Sequence, residues 1–324
     1  MEMRKIQKTG GSTFLVSLPK DWVRRLGLKQ GDHLAIIEKK DGALLLDPRY
    51  DEKESLKEAM IEPNKNIAID ITAKYLSGFD VIKIKSPNRI TSELRESVIK
   101  TKERLIGIEI VEESANEIML NCMISPDMVP LDKTLKRIHL LTLKMHEEAL
   151  KSFLENDEEL AKNVIGRDEE VDKLYFLFVR EVRSALQDPR LAEKIGITPI
   201  KCLDYRMTAK NLENIGDISV RISGKTLELG ENRLSQAMHK YISDLSLIIS
   251  ELQDKSIQAL LREDIALATQ AMLKRRATST LLENANHDLM NSSSNLTILI
   301  DAILDGVERI ADYSVDIAEF VIRP

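Results

Sequence analysis

Cysteine is nearly absent from this 324-residue sequence: Cys122 and Cys202 stand alone, with no CxxC or CxxH spacing around them. That leaves no support for a disulfide framework or a zinc site. There is no apolar run of the roughly 18 residues a membrane-spanning helix needs, and the N-terminus lacks a signal-peptide pattern. The expectation is a reduced, cytoplasmic protein without membrane insertion. None of the five histidines has a glutamate three residues before it, which removes the Glu-x-x-His ligands of di-iron carboxylate bundles. No Ser/His/Asp, Cys/His or nucleotide-binding motif has supporting context, so the chain is expected not to be an enzyme. Aromatic residues make up only 4%. Leu, Ile, Ala, Glu and Lys dominate instead, a composition that leans helical.

The charge is unevenly placed. Residues 1–31 hold seven Lys/Arg against two acids, so they carry +5 of a total of −6 and leave the rest at −11. A basic head on an acidic body suggests that the head meets an anion and the body does not.

The body is duplicated. Leu212-Glu-Asn-Ile-Gly-Asp-Ile-Ser-Val-Arg-Ile222 returns as Val307-Glu-Arg-Ile-Ala-Asp-Tyr-Ser-Val-Asp-Ile317, the mark of a repeated structural unit. Leu212, Ile215, Ser219 and Ile222 follow one helical face. Gly216, or Ala311 in the second copy, keeps a small residue where a neighbouring helix could approach. Glu213/Asp217 and Glu308/Asp312 are acids one turn apart, a mutual repulsion of roughly 0.2–0.5 kcal/mol. Repeated in one register, that repulsion asks for a counter-charge, either a basic side chain or a metal ion. A second echo aligns Leu154-Glu-Asn-Asp157 with Leu261-Arg-Glu-Asp264. Continued without gaps, it sets Asp168, Glu169 and Asp172 against Arg275, Arg276 and Ser279.

In the head, residues 1–50, short β runs around Val16–Leu18, Leu34–Ile37 and Leu44–Leu46 are separated by Gly10-Gly11, Gly31-Asp32 and Asp41-Gly42. Asp41-Gly42 reads as a tight hairpin. Pro19 opens a short helix from Lys20 to Leu26, closed by Gly27. Fifty residues are too few to bury a good core alone, so a partner chain is expected. Val16-Ser-Leu-Pro-Lys20, Arg24-Arg-Leu-Gly-Leu28 and Lys29-Gln-Gly-Asp32 resemble the AbrB/SpoVT family of DNA-binding domains over residues 3–48. The resemblance implies a swapped-hairpin homodimer whose basic edge grips DNA. Its contacts would be Arg4, Lys5, Lys8, Lys20, Arg24 and Arg25 on phosphates, with Ser12 and Thr13 of the Lys8–Thr13 loop donating hydrogen bonds. Similar domains also serve as dimerisation modules or as toxin-binding antitoxins.

Residues 51–130 read as a charged helical linker, Asp51 to Glu62, followed by a small α+β domain. Its strands are expected at Ile67–Ile71, Val81–Lys85, Ile108–Val111 and Ile118–Ile124, with a helix from Thr91 to Leu105 and a close at Ser125–Pro130. Nothing catalytic lies there, and a spacer or a second dimer contact is the simplest role.

From Leu131 the helical period dominates, with six helices expected near 132–154, 157–188, 198–224, 231–253, 257–290 and 293–322. The duplicated Leu212-Glu-Asn-Ile-Gly-Asp217 and Val307-Glu-Arg-Ile-Ala-Asp312 resemble the signature of the PhoU family of phosphate-signalling regulators, which are tandem three-helix bundles. Bundle one would span 131–226 and bundle two 227–324. Family members bind metal through paired carboxylates. Carried over, the ligands are Asp168, Asp172, Glu213 and Asp217, a set suited to a divalent or iron-type cation such as Mg, Mn or Fe. In bundle two Glu308 and Asp312 hold the same register, but Arg275 and Arg276 would answer them as an ion pair without metal. Arg221, four residues after Asp217, could pair with it.

The expected architecture is multidomain: a swapped-hairpin β-barrel head, a small α+β middle and two all-α three-helix bundles. The expected function is a DNA-binding transcriptional regulator of phosphate uptake. The alternative is an adaptor that docks on a phosphate ABC transporter ATPase or a signalling kinase, with the head serving only dimerisation.

Overall fold

The computed structural model describes residues 2–38, 42–48, 56–125, 128, 130–290 and 296–322. The chain forms two compact units, Met1–Leu56 and Lys57–Pro324.

In the first unit, β1 (Gln7–Thr9) pairs antiparallel with β2 (Thr13–Leu15), and α1 (Lys20–Arg25) starts directly after Pro19. β3 (Ala35–Glu38) then pairs antiparallel with β4 (Leu44–Asp47). β3 and β4 are the strands expected on either side of Asp41-Gly42; residues 39–41, where the tight turn was expected, lie outside the described residues. The hairpins form two separate two-stranded sheets. None of the unit's described apolar side chains is fully buried, and Phe14, Ile36 and Leu44 are 66%, 65% and 64% exposed. Two-stranded hairpins with a bare apolar face are marginal in water.

The second unit opens with an α/β layer: β5 (Glu58–Ile61), α2 (Ile67–Leu76), β6 (Val81–Lys85), α3 (Ser92–Glu103), β7 (Ile108–Glu113) and β8 (Glu117–Cys122). The strands lie in the order β5-β6-β8-β7; β5 and β6 are parallel, the other pairs antiparallel, and a bulge interrupts β7 between Ile110 and Glu112. Thr91 caps α3 by accepting from the Leu94 N–H at 3.4 Å.

Two expectations fail here. Ile67–Ile71 is not a strand but the start of α2, because Ile67, Ile71 and Tyr75, one turn apart, all enter the core under the sheet. Its Ile-Ala-Ile-Asp-Ile run alternates like a strand, and tertiary burial overrides that local preference. Glu58–Ile61, read as part of a helical linker, is the edge strand β5, with Ala59 and Ile61 facing inward; residues 51–55 of that linker lie outside the described residues.

The helical part comprises α4 (Leu131–Glu155), α5 (Glu158–Gln187), the short α6 (Pro189–Lys194), α7 (Pro199–Leu229), α8 (Gln236–Arg262), α9 (Ile265–Met290) and α10 (Thr297–Ile322). α6 was not anticipated; it exists because Asp188 caps it, accepting from the Arg190 N–H at 2.9 Å, with Pro189 in its first turn. The fourth helix runs to Arg262 rather than to 253, since its buried stripe continues through Leu252, Ser256, Ala259 and Leu260. The break anticipated at Asn291–Ser294 lies outside the described residues.

The repeat is visible in the turns. α4 ends at Asn156 (φ 56°) and α8 at Glu263 (φ 54°), both left-handed. In each case an aspartate follows and caps the next helix: Asp157 accepts from Leu160 N–H at 2.9 Å, and Asp264 from Ala266 N–H at 2.9 Å and Leu267 N–H at 3.1 Å. Asparagine tolerates this conformation; glutamate pays a steric penalty there. Glu263→Asn is expected to stabilise the chain by roughly 0.5–1 kcal/mol, read as a higher urea midpoint. An unchanged midpoint would mean that the exposed Lys201–Glu263 pair, 3.3 Å apart, offsets the strain.

The bundles meet along two seams, α7 against α10 and α4 against α8. At the first, a Cβ added to Gly306 would come within 3.2–3.3 Å of the Ile218 and Ile222 side chains, so Gly306 sets the approach of α10 to α7. At the second, His139 Nε2 lies 3.2 Å from Asp254 Oδ1, and Gln253 Nε2 donates to His139 Nδ1 at 3.3 Å and to Thr142 Oγ1 at 3.1 Å. His146 is fully enclosed at this seam, and burial pushes its pKa down to about 4.

The α/β layer is tied to bundle one by Arg180 of α5, which is wholly buried. Its guanidinium donates to the carbonyls of Tyr75 and Phe79, both at 2.8 Å, and to Asp80 Oδ1 at 3.1 Å, with its carbon 5.1 Å from the Tyr75 ring centroid. A cation thus closes the carbonyl end of α2, where the helix dipole favours it.

Candidate functional site: a basic head and an acidic cleft

Every DNA-contact candidate in the head is exposed: Arg4, Lys5, Lys8, Ser12, Thr13, Lys20, Arg24 and Arg25. Arg4 pairs with Glu2 at 2.5 Å. The other cations have no carboxylate partner among the described residues. Thr13, opposite Thr9, closes the ladder at the tip of the β1–β2 hairpin, with Lys8 one pair below it opposite Phe14, and Lys20, Arg24 and Arg25 share the short α1, the two arginines in its last turn. Exposed and unpaired, these charges remain available to phosphates.

In bundle one, α5 supplies Asp168 and Asp172 while α7 supplies Glu213 and Asp217. The helices pack closely here: a Cβ on Gly216 would sit 3.5 Å from Val171 Cγ1 and 3.7 Å from Asp168 Oδ1. That is ordinary contact, so the small residue is convenient at this crossing rather than required. Asp168 has its pKa raised to about 6, first by burial, then by repulsion from Asp172, Asp217 and Glu213. Burial also raises Asp172 and Glu213, against the pull of Arg104 and Lys210 respectively. Lys210 forms an ion pair with Glu213, and Arg104, from the end of α3, reaches Asp172 at 3.4 Å. Lys210 could have been found from its i, i+3 spacing to Glu213. Arg104, 68 residues away, left no local signal. Asp217 and Arg221 do not pair among the described side chains.

Three half-buried acids and the exposed Asp217 therefore gather in one cleft, and cations engage Asp172 and Glu213. Among the described residues no three His, Cys, Asp or Glu side chains converge as a ligand set, so the cleft as built is a charge cluster and not a formed metal shell.

Because Asp168 binds its proton more tightly folded than unfolded, its contribution is fully present below about pH 3.8 and is lost as pH rises through about 6. Asp168→Asn is accordingly expected to raise stability above pH 6.5, by about 1 kcal/mol after allowance for solvent screening, with the gain vanishing near pH 4. Melting curves at the two pH values check this. A bound cation would reverse the sign at neutral pH.

Bundle two carries a different solution in the same register. Arg275 Nε donates to Asp312 Oδ1 at 2.8 Å and its terminal nitrogens to Glu308 Oε1 at 3.2 Å and Ser279 Oγ at 2.6 Å. Arg276 is exposed and does not join them.

Residues 135–226 match the family model described as "PhoU domain". The chain carries a PhoU domain. Residues 7–54 match "Antidote-toxin recognition MazE, bacterial antitoxin", so a MazE/AbrB-like domain precedes the PhoU region. The chain is 22% identical over 209 residues to the phosphate-specific transport system accessory protein PhoU homolog 1 of Thermotoga maritima, covering 60% of this chain and 86% of that protein. It is 28% identical over 172 residues to the PhoU homolog of Xylella fastidiosa, covering 52% and 68%. The crystal structure of PhoU from Pseudomonas aeruginosa superposes with a TM-score of 0.55 at 19% identity, over 60% of this chain and 95% of that one; the helical part thus has the PhoU fold. The acidic cleft, between α5 and α7, falls inside the matched PhoU domain. No helix among the described residues is long and apolar enough to cross a membrane.

Proposed function

We propose that this chain is a DNA-binding regulator of phosphate uptake, acting as a dimer through its head, with the PhoU region as the input. One observation carries the reading: a single chain joins a MazE/AbrB-like head bearing exposed, unpaired cations to a PhoU domain. The relatives of that domain are named as phosphate-specific transport accessory proteins. The head accounts for how such a regulator would reach DNA, the PhoU region for which process it would govern. Its role is regulatory and not catalytic. The acidic cleft is the proposed place for a divalent or iron-type cation, for which its acids would have to close up and release Arg104 and Lys210.

Duplex binding measured against salt tests the reading. The wild type should lose affinity steeply as salt rises. Arg24→Ala/Arg25→Ala should bind about tenfold or more weakly on any sequence, with a shallower salt slope. DNA binding that ignores both salt and this double substitution would remove the contact assignment. Absence of duplex binding by the wild type would favour the adaptor, whose partner would be a phosphate transporter ATPase or a signalling kinase.

A further inference from the structure

The outer face of α7 carries an apolar ridge that no part of the described chain covers. Ile200, Leu203 and Met207 follow each other at i, i+3 and i+7 and are 62%, 57% and 45% exposed. The Phe178–Tyr205 ring pair, with centroids 6.4 Å apart, fixes the antiparallel register of α5 and α7. That register brings the exposed Leu186 and Arg183 of α5 to the level of the first turns of α7. Arg206 lies on the flank of the ridge that faces α5, its guanidinium stacked 5.0 Å from the Tyr175 ring centroid. Neither Arg183 nor Arg206 has a carboxylate partner among the described residues. Half-buried Asp204 flanks the ridge on the side away from Arg206.

The duplication supplies an internal control. In the register that sets Leu212 against Val307, Leu203 corresponds to Ile298, Met207 to Ala302 and Arg206 to Asp301. In the register that sets Asp168 against Arg275, Arg183 corresponds to Met290. The second copy keeps one ridge position, Ile298, 80% exposed, but has Asn295 and Ala302 at the other two and neither cation. Packing does not call for the whole ridge or its cations, and exposing such a ridge to water has no structural return.

We propose that this face of bundle one is a docking surface for an acidic amphipathic helix of a partner protein. The spacing of the three apolar side chains matches the anchors a helix presents when it lies along another helix. Two unpaired arginines on one flank, set on a body that is −11 outside its first 31 residues, select a partner with Asp or Glu beside its apolar stripe. The surface lies within the PhoU region and does not depend on whether the head binds DNA.

The probe is a fluorescently labelled synthetic helix of about four turns with leucines at i, i+3 and i+7 and glutamates on the flank. A second peptide carries lysines in place of the glutamates. With the full chain, the acidic peptide is expected to bind and the basic one not. Leu203→Glu/Met207→Glu should weaken binding at least tenfold, with circular dichroism and melting unchanged because both side chains are exposed. Arg183→Glu/Arg206→Glu should exchange the preference from the acidic to the basic peptide. Binding that ignores peptide charge, survives Leu203→Glu/Met207→Glu, or is absent in the wild type overturns the proposal. So does a fall in oligomeric mass on Leu203→Glu/Met207→Glu, which would make a second copy of this chain the occupant.

Discussion

Arg180→Leu is expected to lower the melting temperature of the full chain by roughly 5–15 °C. The guanidinium is wholly enclosed and answers two backbone carbonyls and the Asp80 carboxylate. Leucine would leave those acceptors buried with no donor, and the enclosed Glu181 carboxylate, 3.9 Å from Arg180 Nε, without its nearby cation. Removing one partner from a buried charged network costs about 3–5 kcal/mol, and a chain of this size loses a few degrees per kcal/mol. Arg180→Lys should recover only part of the loss, since one ammonium cannot reproduce the planar fork that reaches both carbonyls and the carboxylate. Differential scanning calorimetry separates the cases. A shift of less than about 2 °C for the leucine variant would mean that the α/β layer is held to bundle one by apolar packing alone.

Ile36→Asp is expected to leave the head monomeric and to cut duplex affinity by about a hundredfold, halving the slope of log affinity against log salt. Ile36 and Leu44 share one face of the β3–β4 hairpin and are both mostly exposed within the single chain. The two hairpins of the head form separate sheets, so a second copy is the natural cover for that face. A carboxylate on it would have to be desolvated at the contact, whereas the candidate DNA-binding cations lie elsewhere, on the segment before β1, the β1–β2 hairpin and α1. Light scattering of the isolated complex reports mass, and fluorescence anisotropy reports affinity. A variant that keeps both the wild-type mass and the wild-type affinity would sink the dimeric-head reading.

Much of this molecule could be read before its coordinates. The duplication gave the tandem bundles, and the aligned Leu154–Asp157 and Leu261–Asp264 stretches turn out to be the same left-handed turn built twice. Arg275 standing opposite Glu308 and Asp312 follows from the same alignment. What stayed hidden is non-local. Ile67–Ile71 alternates like a strand and became a helix because Ile67, Ile71 and Tyr75, one turn apart, face a core assembled from distant segments. Arg180 looks like one more surface arginine in a charged helix until α2 is laid against it. Gly306 sits outside the repeated signature, yet it sets the α7–α10 approach, while Gly216 inside the signature has room for a methyl group. Arg104 enters the acidic cleft from the end of α3, in the α/β layer. A local pattern carries element type and repeat; it carries no information on which residues a neighbouring layer will enclose.

The seam between α4 and α8 has one more implication. In the register of the first repeat's turn, His146 and Gln253 are counterparts, and each lies buried where its own half meets the other. Equivalent positions meeting across an axis is how two identical subunits associate in an isologous pair. There, any change at the axis lands on both sides at once. Covalent fusion lifts that restriction, so a histidine can face a glutamine, and an acid-lined crevice in one half can coexist with an arginine-filled one in the other. The two halves of this scaffold are thereby free to specialise while the contact that joins them stays that of a homodimer.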